Sequence, residues 1–189
     1  MLEIIIFVAT VIVLIMILRK LPVDADVALK QASGRGSQEK NQLAEADELF
    51  EQGELKKAEK MYLKLLDKDS KDATLYNKLG LIYLADKNFK DAKSSLKQAL
   101  KLEPENDTFY NNLGLLYYEM GKYDDAIEAY EASININDKI ASRLINLGLA
   151  YFMNKKYRKA ADAYEKAVIL DPRNESYVEL LKKAEEKIK

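Results

Sequence analysis

The sequence of 189 residues contains no cysteine and no histidine. Without cysteine the chain can form no disulfide, carry no cysteine-linked lipid and offer no thiolate ligand to a metal ion. It also lacks the commonest general base and the strongest nucleophile of enzymes. We find no phosphate-binding glycine loop, no EF-hand pattern and no paired metal-ligand motif. The sequence therefore predicts a protein that is not an enzyme and that needs no cofactor and no metal ion.

The charges are nearly balanced, with 30 basic and 31 acidic residues and a net charge of −1. No basic stripe with interspersed aromatic residues runs along the chain, which argues against nucleic acid as a partner. The acidic pair Asp124 and Asp125 falls at the start of a predicted helix, where the helix dipole favours negative charge. We interpret these carboxylates as structural and not as a catalytic pair.

Glycine is scarce, with seven residues, yet three glycines recur at a regular spacing. The dipeptide Leu-Gly occurs at Gly80, Gly114 and Gly148, and the interval from the first to the second equals that from the second to the third. A glycine inside a helix costs about 1 kcal/mol relative to alanine, so its repetition indicates that two helices approach closely there. We expect each glycine to face a small residue of the following helix. These small partners are Ala92, Ala126 and Ala160.

The residues around each Leu-Gly pair recur with helical spacing. In one unit Tyr110, Leu113 and Tyr117 surround the glycine, and a second segment follows with Ala126 and Tyr130. Spacings of three, four and seven residues place such side chains on one face of a helix. Each repeating unit is therefore predicted to contain two amphipathic helices, A and B.

This pattern resembles the tetratricopeptide repeat family, in which an aromatic residue, Leu-Gly, a tyrosine, a later Ala-x3-Phe and a closing proline follow one another. Pro104 and Pro172 stand where the closing proline belongs, whereas one unit has Asp138, so we expect that helix to end less sharply. A weaker first unit has Glu45 and Ala46 in place of Leu-Gly. Such a polar terminal unit is typical of repeat arrays, because nothing covers its outer side.

The resemblance implies an all-α fold, a right-handed α-solenoid of helix-turn-helix repeats that ends in a C-terminal cap helix. The cap continues the phase of a fifth A helix, with Val178 and Leu181 at its apolar positions. We predict that a single N-terminal transmembrane helix precedes the solenoid. The predicted segments are a transmembrane anchor at 1–20, a flexible linker at 21–38, a divergent repeat at 39–72, repeats at 73–106, 107–140 and 141–174, and the cap helix at 175–189.

The anchor is predicted from residues 4–18, fifteen uncharged and almost wholly apolar residues. At about 1.5 Å per residue they span roughly 23 Å of a hydrocarbon core about 30 Å thick, and flanking residues extend the span. A cleaved signal peptide would carry positive charge before the apolar run, whereas here Glu3 precedes it and Arg19 and Lys20 follow it. Because basic residues close to a span tend to stay in the cytoplasm, we expect the repeats on the cytoplasmic side.

The linker contains Pro22 and the sequence ASGRGSQ at 32–38. Proline disfavours a helix that continues from the membrane, and the glycines and serines favour a flexible joint. The alternative is a short amphipathic helix at 23–32 that lies on the membrane surface.

The resemblance also implies a concave groove lined by the A helices, which in this family binds partners. In this family that surface is typically drawn from the second, fifth, sixth, ninth, twelfth and thirteenth places of each unit. In this chain they give a row of asparagine, threonine and serine beside a row of leucine and aromatic residues. Asparagine offers a donor and an acceptor to the main chain of a peptide, although the leucines could instead face neighbouring helices. The implied groove residues are Thr74, Asn77, Lys78, Leu81, Leu84, Thr108, Asn111, Asn112, Leu115, Tyr118, Ser142, Ile145, Asn146, Leu149 and Phe152, to which the first unit adds Lys40, Leu43, Asp47 and Phe50.

Some family members clamp the terminal carboxylate of a chaperone, but the residues of that clamp are not matched here. Leu43 and Asp47, or Asn77 and Leu81, stand where lysine and asparagine are needed. We therefore expect a protein or peptide partner with apolar anchors. The whole layout is similar to that of bacterial inner-membrane proteins with cytoplasmic repeats. We expect a membrane-tethered scaffold that helps to assemble an envelope complex, and the alternative is a structural protein that stacks into homo-oligomers.

Overall fold

The computed structural model describes residues 38, 40–68 and 70–188, and the regular structure of these residues is helical. The predicted transmembrane anchor at 1–20 and almost all of the linker at 21–38 lie outside the described residues, so both stay predictions. Within the described part of the chain, no helix is long and apolar enough to cross a membrane. The chain divides into two compact units between Met61 and Tyr62.

The first unit contains helix α1, residues 40–51, and the beginning of helix α2, Leu55–Lys68. Ala46 in α1 and Ala58 in α2 are fully buried. Ala46 occupies the place that glycine has in the later repeats, so the divergent repeat also keeps a small side chain there.

The second unit contains the rest of α2 and the helices that follow it. The A helices α3, α5 and α7 and the last helix, α9, begin at one constant interval along the chain, and the B helices begin at the same interval. The helix-turn-helix architecture predicted from the sequence repeat is therefore confirmed. The helices are α3 (Ala73–Ala85), α4 (Phe89–Leu102), α5 (Asp107–Glu119), α6 (Tyr123–Ile136), α7 (Ala141–Met153), α8 (Tyr157–Leu170) and α9 (Glu175–Ile188).

Packing in the second unit follows the order of the chain. Each A helix contacts the B helix that follows it, each of α4 and α6 contacts the next A helix, and α9 contacts α8. The A helices also contact one another along the row α3, α5 and α7. This row carries the fifteen implied groove residues at 74–152, and we call these residues together the A-helix face.

The three Leu-Gly glycines lie where an A helix meets its B helix, as predicted. A Cβ atom at each of them would collide with a large side chain of the B helix. The predicted alanine partners are fully buried, but they are not the closest neighbours, because the residue one turn later reaches across the glycine. The pairs, with the distance from the added Cβ to the nearest atom, are Gly80 with Leu96 at 2.6 Å, Gly114 with Tyr130 at 2.6 Å and Gly148 with Tyr164 at 2.3 Å.

The closing proline does not determine where a B helix ends. Helix α6 ends two residues before Asp138, just as α4 and α8 end two residues before Pro104 and Pro172. The expectation of a less sharply defined end was wrong. Packing fixes this end, since Ser133 in the last turn of α6 is fully buried and donates a hydrogen bond to the main-chain oxygen of Asp107 over 2.7 Å.

The turns between A and B helices share one backbone conformation. Lys87, Gly121 and Lys155, which hold the equivalent place in successive units, have φ values of 57°, 70° and 60°. The left-handed conformation allows the next amide to bond back to a carbonyl of the A helix, as Lys122 N–H does to the Tyr117 oxygen over 2.9 Å. The turn is thus set by the main chain, even where lysine replaces the favoured glycine.

Candidate functional site

The fifteen implied groove residues at 74–152 lie on α3, α5 and α7, which are neighbouring helices of the second unit. The residues of the A-helix face differ in their exposure to solvent, and this determines what each side chain could contact. Thr74, Thr108 and Ser142 are exposed, Lys78, Leu81, Asn111, Leu115, Tyr118, Asn146, Leu149 and Phe152 are half-buried, and Asn77, Leu84, Asn112 and Ile145 are buried. Leu84 and Ile145 belong to buried apolar clusters, so these two side chains pack between helices and offer a ligand little surface.

The four groove residues implied for the divergent repeat lie in helix α1 of the first unit. Lys40 is exposed, and Leu43, Asp47 and Phe50 are half-buried. Their exposure is compatible with contact to a ligand, and their assignment to the groove stays a prediction.

Two asparagine pairs join neighbouring A helices. Asn112 Nδ2 donates to Asn77 Oδ1 over 2.8 Å, and Asn146 Nδ2 donates to Asn111 Oδ1 over 3.0 Å. The first pair is buried and holds α3 against α5. The second pair is half-buried. Among the residues that the structure describes, its bond leaves the amide donors of Asn111 and the amide oxygen of Asn146 for other partners.

The apolar row of the A-helix face includes two aromatic side chains one repeat apart. Tyr118 packs edge-on against Tyr123, with ring centroids 5.7 Å apart, and Phe152 packs in the same way against Tyr157 at 5.2 Å. Each pair links the end of an A helix to the start of the following B helix. Half-buried rings held at one edge are suited to contact a ligand with their remaining surface.

Three tyrosine side chains from α5, α6 and α8 belong to one apolar cluster. Burial raises the pKa of Tyr130 and of Tyr164, and the nearby Tyr118 raises both further. The pKa of Tyr118 itself is raised by burial and by its neighbours Tyr123 and Glu119. We call Tyr118, Tyr130 and Tyr164 the tyrosine cluster.

The helical spacing predicted Tyr130 only as a large residue on the apolar face of a B helix, and it did not predict that Tyr118 shares a cluster with Tyr130 and Tyr164. The sequence did contain a signal that these tyrosines could have a role besides packing. Leu96 occupies the same place in the preceding repeat and packs against its glycine as closely as Tyr130 packs against Gly114. Tyrosine is therefore not required there for packing.

A buried arginine side chain joins the repeat that contains α5 to the repeat that contains α7. Arg143 is only 7% exposed, and its guanidinium donates to the Asp107 carboxylate and to Thr108 Oγ1, the latter over 3.1 Å. Burial lowers the pKa of Arg143. We call Asp107, Ser133 and Arg143 the polar junction. It was not predicted from the sequence, although Arg143 stands in the place that buried Phe109 holds one unit earlier.

Paired helices that recur at a constant interval, with a row of A helices that shares one face, define a helix-turn-helix repeat protein. Two family profiles match the chain, one described as tetratricopeptide repeat at residues 106–170 and one described as TPR repeat at 46–87 and 82–121. Together they cover more than half of the sequence. The chain belongs to the tetratricopeptide repeat family. No curated protein matches it.

Several solved structures share the fold. A crystal structure of MamA is 26% identical, with a TM-score of 0.70 over 80% of this chain and 83% of that one. YrrB, described as a TPR protein with an unusual peptide-binding site, is 21% identical, with a TM-score of 0.64 over 76% of this chain and 74% of its own. The first TPR of Spaghetti (RPAP3), bound to the HSP90 peptide SRMEEVD, is 21% identical, with a TM-score of 0.60 over 64% and 95%.

Proposed function

We propose that this protein is a membrane-tethered scaffold that binds a peptide segment of a partner protein on the A-helix face and helps to assemble an envelope complex. The observation that carries the proposal is the composition of this face. Lys78 is the one charged residue among the fifteen implied groove residues, and an amide row lies beside an apolar row. The unusual peptide-binding site of YrrB and the peptide bound to RPAP3 support a peptide as the ligand.

The chemistry of the face fits an uncharged segment. The free donors of Asn111 and the free oxygen of Asn146 match the carbonyl and amide groups of a peptide main chain. Half-buried Leu115 and Leu149 offer apolar contact beside them, and Tyr118 and Phe152 extend that contact toward the turns. A charged ligand would find few partners here, so charge contributes little to the expected affinity.

Polar substitution of two leucines on the A-helix face tests the binding proposal. We expect the double variant Leu115→Gln with Leu149→Gln to lose about tenfold or more in affinity for its partner, because both apolar contacts are removed. The measurement is quantitative capture of partners by the tagged full-length chain solubilised in detergent. Capture of an untagged second copy of the chain would instead favour self-association.

A matched control makes the same chemical change elsewhere in the second unit. Leu63 and Ile169 are exposed residues of B helices, at 46% and 71%, so Leu63→Gln with Ile169→Gln should leave capture unchanged. Circular dichroism on both double variants would establish that they are folded. Equal partner recovery by the groove variant and the wild type would contradict binding on the A-helix face.

We propose that residues 1–20 tether the repeats to the cytoplasmic side of a membrane. The support is the uncharged run at 4–18, with basic residues at its C-terminal end. Val11→Arg with Leu14→Arg places two charges in the middle of the run, at a cost of about 3 kcal/mol each, and should move the chain out of the membrane fraction. Leu63→Arg with Ile169→Arg is the control, and this variant should stay in the membrane fraction.

The proposed orientation is tested by protease digestion of sealed inside-out vesicles. Protease should cleave the repeats there, and protection of the repeats would contradict the cytoplasmic orientation.

A further inference from the structure

Tyr164 carries a buried hydroxyl that has no hydrogen-bond partner among the described residues. The side chain is 1% exposed, so solvent does not satisfy this group. Its ring lies across Gly148, where an added Cβ atom would be 2.3 Å from Cε1 and 2.5 Å from Cδ1. The position of the hydroxyl is therefore fixed by tight packing of the ring. A buried polar group without a partner is costly, and a bond supplied by a ligand would remove that cost.

The surroundings of this hydroxyl connect it to the A-helix face. Tyr118, a half-buried residue of that face, packs in the same apolar cluster as Tyr164. The two are close enough that Tyr118 raises the pKa of Tyr164, after the larger effect of burial. Tyr118 is held through an edge contact with Tyr123, and rotamer changes of such side chains are common when an interface forms. A ligand that displaces Tyr118 by such a rotation could reach the hydroxyl.

We infer that the Tyr164 hydroxyl is a hydrogen-bonding site for the ligand of the A-helix face, and that it donates to a main-chain carbonyl oxygen of the bound peptide. This inference rests on the proposed peptide-binding function. A neutral acceptor is favoured over a carboxylate, because the site is buried and Glu119 lies beside Tyr118. Tyr164 would thus select peptides that place a carbonyl next to an apolar anchor.

The experiment compares Tyr164→Phe with the matched variant Tyr130→Phe, which removes one hydroxyl from the equivalent place over Gly114. The probes are peptides selected from a displayed random library on the wild-type full-length chain in detergent. Their affinities are measured by calorimetry. We expect Tyr164→Phe to weaken binding about fivefold, the value of one hydrogen bond, and Tyr130→Phe to change it less than about twofold. Replacing successive peptide amides with esters should reveal one position whose effect disappears in Tyr164→Phe.

The possible outcomes distinguish the proposed function from this inference. If no peptide is enriched, or if Leu115→Gln with Leu149→Gln binds the selected peptides as well as the wild type, the proposed function fails and this inference fails with it. If peptides bind the A-helix face but Tyr164→Phe binds them with unchanged affinity, the inference alone is overturned. Urea denaturation gives an independent readout: the midpoint of Tyr164→Phe should equal or exceed that of the wild type. A lower midpoint would mean that the hydroxyl is already bonded in the free protein, and would overturn the inference.

Discussion

Replacing Gly148 with alanine is expected to lower the free energy of unfolding by about 2 kcal/mol. The new Cβ atom would lie 2.3 Å from Tyr164 Cε1, far inside van der Waals contact. The tyrosine cannot swing away, because its side chain is 1% exposed. Overpacking a core costs about 1–3 kcal/mol, and a contact this short belongs at the upper end. The better helix propensity of alanine returns about 1 kcal/mol of that loss.

The same substitution in a Tyr164→Val variant separates the collision with the tyrosine ring from other effects of Gly148→Ala. Tyr164→Val removes the ring atoms that lie closest to Gly148, so Gly148→Ala made in that background should be neutral or stabilise the protein by up to about 1 kcal/mol. Urea unfolding of the four chains gives the coupling between the two sites. An equal loss in both backgrounds would contradict the explanation, because it would mean that the alanine is rejected for a reason unrelated to the ring.

The repeat itself was predictable because one physical requirement recurs at a fixed interval. Gly80, Gly114 and Gly148 each keep a B-helix side chain close to an A-helix backbone, and a requirement repeated three times is visible in a single sequence. The identity of that side chain was less visible. We expected an alanine of the B helix to face each glycine, whereas the leucine or tyrosine one turn later makes the contact. Helical spacing shows which residues share a face, but it does not show which of them reaches furthest.

The A-helix face was predictable to a lesser degree. Places in a repeat define which side chains share a helix face, and the structure has Leu115 and Tyr118 on α5 and Phe152 on the neighbouring α7. That these side chains form one binding groove stays a prediction. The places do not define hydrogen bonding between units. The bond between Asn112 and Asn77 needs two residues 35 positions apart on adjacent helices, so it appears only once the helices are stacked.

Removing Asp107 is the second change with a large expected effect. Asp107→Ala should lower the free energy of unfolding by about 3 kcal/mol, because it leaves the Arg143 charge buried without its carboxylate. The Arg143 side chain is 9% exposed, whereas that of Asp107 is 22% exposed and begins a helix, where negative charge is favourable. Arg143→Met should therefore cost less, about 1 kcal/mol. Urea denaturation of both single variants checks this asymmetry, and equal losses would contradict it.

The neighbouring repeats show which residues could replace the polar junction. In the preceding repeat an apolar trio fills the places of Asp107, Ser133 and Arg143. These residues are Ala73, Ala99 and Phe109, which form a buried apolar cluster. One unit later the same places are filled by Ala141, Ala167 and Tyr177, which belong to another apolar cluster. The architecture therefore accommodates an apolar trio on either side of the polar one.

The triple variant Asp107→Ala, Ser133→Ala and Arg143→Phe should consequently unfold with a free energy within about 1 kcal/mol of the wild type, or above it. An ion pair gains little beyond what it costs to remove both charges from water, whereas an unpaired buried charge only costs. Ser133→Ala is included because the Ser133 hydroxyl donates to the Asp107 main chain and has an alanine in its place in both neighbouring units. A triple variant as unstable as Asp107→Ala would mean that this junction differs in shape from its neighbours. Recovery of stability would show that the junction contributes no net stability over its apolar counterparts.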